Sequence, residues 1–105
     1  MIKHKFHAKP TTVGDHKFGS KKEAKRYQEL LLLKSSGEVL FFLLQTRFDL
    51  PGGVIYRCDF LVFWANGEVT IEDIKGIKTA LYIVKKKILE ATYPIKITEI
   101  WYGYT

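Results

Sequence analysis

The sequence predicts an α+β domain with the element order αβββαβ, a mixed four-stranded sheet flanked by helices. Three observations predict it. A well-capped helical segment occupies residues 20–37, three strand-like segments follow with turn signals between them, and a second capped helix precedes a β-branched tail. In the first helix Ser20 and Glu23 form a capping box, good helix formers run to Lys34 and Gly37 supplies the stop, so it spans about 21–35. Its apolar stripe is Ala24, Tyr27, Leu30 and Leu31. Val39 to Phe48 reads as a buried strand that ends before the turn Pro51-Gly52-Gly53. A second strand covers Ile55 to Trp64, Asn66-Gly67 signals a hairpin, and a third strand runs from Glu68 to Lys75. Thr79 caps a helix over 80–92 that Pro94 ends, and Ile95 to Tyr102 is the last strand.

At 105 residues the chain is two thirds of the ~150 that serve as a prior for one domain, so residues 20–105 are expected to fold as a single unit. Residues 1–19 carry Lys3, Lys5, Lys9, Lys17, His4, His7 and His16 without a sustained period and read as a basic, irregular arm. The longest apolar run, Val39 to Leu44, is far below the ~18–20 residues that cross a bilayer, and no apolar segment follows Met1 as an export signal would require. The expectation is a cytoplasmic protein with no membrane partner. Its one cysteine, Cys58, excludes an internal disulfide and cysteine-built metal sites. Seventeen Lys and Arg against eleven Asp and Glu give +6, a balance suited to a polyanion such as nucleic acid.

Hairpin register decides whether two carboxylates meet. A two-residue loop at Asn66-Gly67 pairs residues whose numbers sum to 133 and separates Asp59 from Asp73. A three-residue loop, Ala65-Asn66-Gly67 with Gly67 left-handed, makes the sum 132 and sets Asp59 opposite Asp73. The second register puts Leu61, Phe63, Val69 and Ile71 on one face with Asp59, Asp73 and Lys75, and sends Glu68, Thr70 and Glu72 to the other. It segregates apolar from polar residues and is therefore the one expected.

Two carboxylates at such spacing repel each other unless a cation, a shared proton or solvent intervenes. Oxygen donors without His or Cys suit a hard ion that keeps several waters, Mg²⁺ first, with Mn²⁺ as a substitute. Lys75, on the same face, is placed to polarise a water or to neutralise charge on a phosphoryl group. Glu23 closes the capping box, yet its helical azimuth lies beside Tyr27 and Leu30, where an acid needs a partner.

These residues resemble a known pattern. Asp59, a hairpin, Asp73-Ile74-Lys75-Gly76 and a preceding helix with an acid at its start are similar to the core of the PD-(D/E)XK nuclease superfamily, a restriction-endonuclease-like fold. Phe18 to Tyr27, Leu44-Gln45-Thr46-Arg47-Phe48, Asp59-Phe60 and Glu72 to Thr79 look like a phage and prophage family of small nuclease-like proteins, over about residues 18–100. The resemblance implies that Asp59 and Asp73 ligate the metal, with the Ile74 carbonyl a third ligand. It makes Lys75 the catalytic lysine and Glu23 the helix acid that reaches the metal directly or through water. Cys58 stands where the motif has proline, and the second acid is Asp73 where Glu is commoner.

The implied activity is Mg²⁺-dependent endonucleolytic hydrolysis of DNA in the bacterial host of a phage. A domain this small has little surface for reading bases, and relatives of the fold include Holliday junction resolvases, so branched DNA and a homodimer are expected. The alternatives are a flap, single-strand or nicking nuclease of phage replication, and a DNA-binding module that keeps the fold without turnover. Candidate phosphate contacts are Lys21, Lys22, Lys25 and Arg26 on the first helix, Arg47 and Arg57 near the strands, and Lys78, Lys85 and Lys87 around the second helix. Lys87 lies on that helix's apolar side and either snorkels or reaches toward the acids. Phe41, Phe42, Trp64, Trp101, Tyr102 and Tyr104 read as core or subunit surface.

Overall fold

A computed structural model describes residues 10–102. Its principal sheet holds four strands in the order β3, β6, β7, β8, where β3 is Val39–Leu44, β6 Phe60–Trp64, β7 Val69–Lys75 and β8 Ile97–Trp101. The first three are antiparallel neighbours, and β8 runs parallel to β7. A parallel pair needs a crossover, supplied here by α2 (Ala80–Thr92). Helix α1 (Lys21–Ser35) lies on the opposite face. Two small hairpins also lie among the described residues, β1 (Thr11–Val13) with β2 (His16–Phe18) and β4 (Arg47–Leu50) with β5 (Val54–Arg57). The class is α+β with a mixed four-stranded sheet, as the sequence predicts.

Both helices begin where their caps place them. Ser20 Oγ accepts from the Glu23 N–H at 3.2 Å, and Thr79 Oγ1 accepts from the Tyr82 N–H at 3.1 Å. Alternation along β6 divides the core into two layers. Phe60 and Val62 pack with Ala24 and Leu30 of α1, while Leu61 packs with Ile71, Ile97 and the α2 residues Tyr82 and Leu89. Leu30 and Leu89 are wholly buried, each worth roughly 1.5–3 kcal/mol, so the two layers clamp the sheet between the helices. Among the described residues no helix is long and apolar enough to cross a membrane.

The β6–β7 register is the expected one. Phe60 pairs with Glu72, Leu61 with Ile71 and Phe63 with Val69, and Gly67 closes the three-residue loop at φ 94°. Elsewhere the structure departs from the sequence reading. From Thr11 the expected irregular arm is a hairpin, anchored by Phe18 against Tyr27 with ring centroids 4.9 Å apart. Lys3, Lys5, Lys9, His4, His7 and Tyr104 lie outside the described residues. The 39–48 segment is two strands in different sheets, because Gln45 turns left-handed (φ 52°) between them. Nor is β3 buried. It is an edge strand that α1 covers on one side, so Leu40, Phe41 and Leu43 are 58%, 43% and 45% exposed. The 55–64 segment breaks at Cys58 and Asp59, Leu31 is exposed, and β8 is shorter than Ile95 to Tyr102.

Candidate active site

The β6–β7 ladder stops at Phe60 and Glu72, and a side chain continues it. The Asp59 N–H donates to the Glu72 carbonyl at 3.1 Å, and Asp59 Oδ2 accepts from the Ile74 N–H at 2.7 Å. A carboxylate thus takes the hydrogen bond that the next carbonyl of a regular strand would have taken. Asp59 is thereby fixed to the residue between Asp73 and Lys75, which is how β6 and β7 bring the three ionisable groups together.

Asp73 and Lys75, two apart on β7, project to the α2 side. Lys75 Nζ is 2.9 Å from Asp73 Oδ1 and lies over the Tyr82 ring, 3.3 Å from its centroid. The Tyr56 hydroxyl donates to Asp73 Oδ2. Burial, then the Asp73 charge, pushes the Tyr56 phenol far above its ordinary value, so it stays protonated and donates. The Tyr82 hydroxyl donates in turn to Glu99 Oε2 at 2.9 Å, and Lys78 and Lys86 approach Glu99 at 3.0 and 3.2 Å. Partial burial pushes the Glu99 carboxyl up, but these three donors outweigh it and hold it at about 2.

On the other side of Asp59 is a cavity of about 540 Å³ lined by His16, Lys17, Phe18, Gly19, Glu23, Leu44, Gln45 and Asp59. Glu23 lies beside Gly19, where a Cβ would meet its Oε1 at an ordinary van der Waals distance of 3.4 Å. Burial raises the Glu23 carboxyl, the Gly19 backbone opposes the rise and the Asp73 charge adds to it. Asp59 is pushed up to about 7, chiefly by burial and then by the Glu23 charge, against the Ile74 N–H. Burial also raises the Cys58 thiol to about 11, which leaves it protonated and a poor nucleophile at neutral pH.

The expected convergence of three acids needs correction. Among the described residues no group of three or more His, Cys, Asp or Glu side chains is gathered closely enough to hold a metal ion. Asp73 is turned to Tyr56 and Lys75, Glu23 stays at its helix start, and Ile74 engages Asp59 through its N–H. What remains is a set of acids in which the Asp73 charge raises both Asp59 and Glu23, and the Glu23 charge adds to the rise at Asp59. That donor set fits a hard cation such as Mg²⁺, which needs one or two carboxylates and keeps most of its waters. Asp59 and Asp73 would hold it, since each hydrogen-bonded carboxylate oxygen retains a second lone pair.

The raised Asp59 carboxyl has a measurable sign. Between pH 4 and pH 7 the folded chain keeps a proton that the unfolded chain releases, so stability falls as pH rises through that window. Asp59→Asn removes the penalty, which is on the order of 2–4 kcal/mol. The Tm of Asp59→Asn minus that of the parent is expected near zero at pH 4 and clearly positive at pH 8. Thermal unfolding with EDTA reads this, and a difference that does not change with pH would refute it.

The basic residues are less available than their charges suggested. Arg26 is a correction: its guanidinium grips Glu72 at 2.7 Å (Nε to Oε1) and 2.6 Å (Nη2 to Oε2) and adds Glu29 at 3.2 Å, so it ties α1 to β7. Lys78 is neutralised by Glu99, and Arg47 pairs with Asp49 at 2.9 Å. The Arg57 Nη1 donates to the Gln45 carbonyl at 3.2 Å, and Lys25 lies over the Tyr102 ring. Lys87 is exposed near Glu90 and Glu99 and does not reach toward the acids. Lys21 is exposed, Lys22 is half-buried, and Lys85 borders a shallow depression with Tyr56 and Arg57.

Sequence reasoning missed Tyr56, Tyr82, Glu99 and Gln45. Tyr56 gave no usable signal, since a continuous 55–64 strand would have turned it away from Asp73; the bend at Cys58 and Asp59 reverses its face. Tyr56→Phe deletes one hydrogen bond to a buried charged acceptor and is expected to lower the Tm by ~5–15 °C. An unchanged Tm would show that the bond contributes nothing.

No curated protein and no solved structure matches the chain. A family model described as a protein of unknown function, DUF1064, matches residues 3–103, and the chain belongs to that family.

Proposed function

We propose that the protein is a Mg²⁺-dependent DNA endonuclease of the PD-(D/E)XK type that hydrolyses phosphodiester bonds, with branched DNA as its preferred substrate. The observation that carries this reading is the Asp59 hydrogen bond to Ile74 N–H, which fastens one acid between a second acid and a lysine, with Glu23 facing the same cavity. Mg²⁺ held by Asp59 and Asp73 would supply Lewis acidity and positive charge beside the scissile phosphate. Lys75 donates to a phosphate oxygen or holds the attacking water, and the Tyr82 ring keeps its ammonium from swinging away. Tyr56 orients Asp73 by occupying one of its oxygens. A domain of this size has little surface for reading base edges, which favours recognition of DNA shape over sequence. The homodimer and the host cytoplasm belong to the same reading.

One observation favours a rival. Both Asp73 oxygens are already engaged, by Tyr56 and Lys75, as in a fold kept for DNA binding without turnover. Incubation with labelled four-way junction, flap, duplex and single-stranded DNA, in Mg²⁺ or in EDTA, separates the two. Products that require Mg²⁺, most from the junction, are expected. Salt-sensitive binding with no product on any substrate would establish the rival.

A further inference from the structure

We infer that Gln45 is a substrate-binding residue of the acid-lined cavity, its side-chain amide donating to a phosphate oxygen of the strand bound over Asp59 and Glu23; the inference rests on the nuclease reading. Among the described residues Gln45 is the one non-glycine residue with a left-handed backbone, φ 52°. A Cβ is strained there, and glycine or asparagine would relieve the strain. The conformation is nevertheless clamped on both sides. The Gln45 N–H donates to the Asp59 carbonyl at 3.1 Å, and its own carbonyl accepts from Arg57 at 3.2 Å. Gln45 is thus braced by the two residues that flank Cys58, and it adjoins Asp59 in the 540 Å³ cavity.

The cavity's chemistry explains why a glutamine stands there. Its two acids repel a phosphate, so a bound strand needs donors on the walls. Of the lining side chains only His16, Lys17 and Gln45 can donate. His16 and Lys17 belong to the β1–β2 hairpin, whereas Gln45 is joined to Asp59 directly. A lysine there would ion-pair with Asp59 and close the site; an amide donates without neutralising the acids. The Gln45 side chain is exposed, and its amide has no hydrogen-bond partner among the described residues. Strain retained beside a reactive cluster is a mark of a functional position.

Gln45→Gly and Gln45→Ala separate the backbone from the amide. The glycine variant is expected to gain ~2–5 °C in Tm and yet raise KM for the best DNA substrate by about 10-fold, with a smaller change in kcat. The alanine variant keeps the strain, so it shows the same KM loss without the Tm gain. If both variants keep the parent KM, the inference is overturned while the parent's own cleavage leaves the nuclease reading intact. If the parent cuts no DNA, the nuclease reading fails, and anisotropy with labelled junction DNA decides Gln45: weaker binding by both variants keeps it as a DNA contact, and parental affinity overturns it.

Discussion

On the proposed endonuclease reading, Lys75→Met is expected to reduce DNA cleavage by ~10²–10³-fold or more, the range seen when one preorganised charge-stabilising donor is removed from an active site. Methionine keeps an apolar side chain of similar reach and deletes the ammonium that lies over the Tyr82 ring. Stability enters the interpretation, because the Asp73 and Lys75 side chains are only 12% and 10% exposed and the variant strands a buried carboxylate. Breaking a buried pair from one side costs about 3–5 kcal/mol, whereas replacing both partners is often close to neutral. Asp73→Asn with Lys75→Met is therefore expected to unfold near the parental temperature and still cut nothing. A double variant that is folded and cuts junction DNA at the parental rate removes both groups from the mechanism.

Arg26→Ala is expected to destabilise the fold strongly, because the guanidinium is largely buried. Glu72 is 2% exposed, and its two oxygens face the guanidinium in a bidentate pair. Its hydrogen bonds hold Arg26 charged well beyond the ordinary arginine value, even against burial. Alanine leaves the buried Glu72 carboxyl without its partner between α1 and β7, a loss of about 3–5 kcal/mol that lowers the Tm by ~15–25 °C. Arg26→Met with Glu72→Leu should recover most of it. The double variant also separates two roles of Arg26: if the guanidinium is an internal brace, the variant's DNA affinity equals the parent's, and a weaker affinity with a restored Tm would make Arg26 a DNA contact.

The parts legible in the sequence are those written locally. Ser20 with Glu23 and Thr79 with Pro94 mark both helices, and Gly67 with the alternation of β7 marks the register that pairs Phe60 with Glu72 and so brings Asp59 to the Ile74 N–H. What escaped depends on partners far along the chain. Period-2 logic correctly sends Glu72 to the face opposite Ile71, but which helix covers that face, and that Arg26 waits 46 residues earlier, is not encoded nearby. The two broken strands share one cause. Neither Gln45 nor Cys58-Asp59 carries the Gly or Pro that usually announces a break, because tertiary hydrogen bonds impose the bend. That bend turns Tyr56 and Cys58 toward α2, so the residues that hold Asp73 were invisible while the acid itself was not.

The open flank of β3 has a consequence for handling this protein in solution. Val39 to Leu44 contains no charge and no proline, so the strand lacks the residues that ordinarily discourage edge-to-edge stacking between molecules. Long-range repulsion from the +6 net charge then becomes the main guard against self-association. High salt screens that guard, and so does a bound polyanion. Loading the molecule with its proposed substrate therefore weakens the same guard that added salt screens.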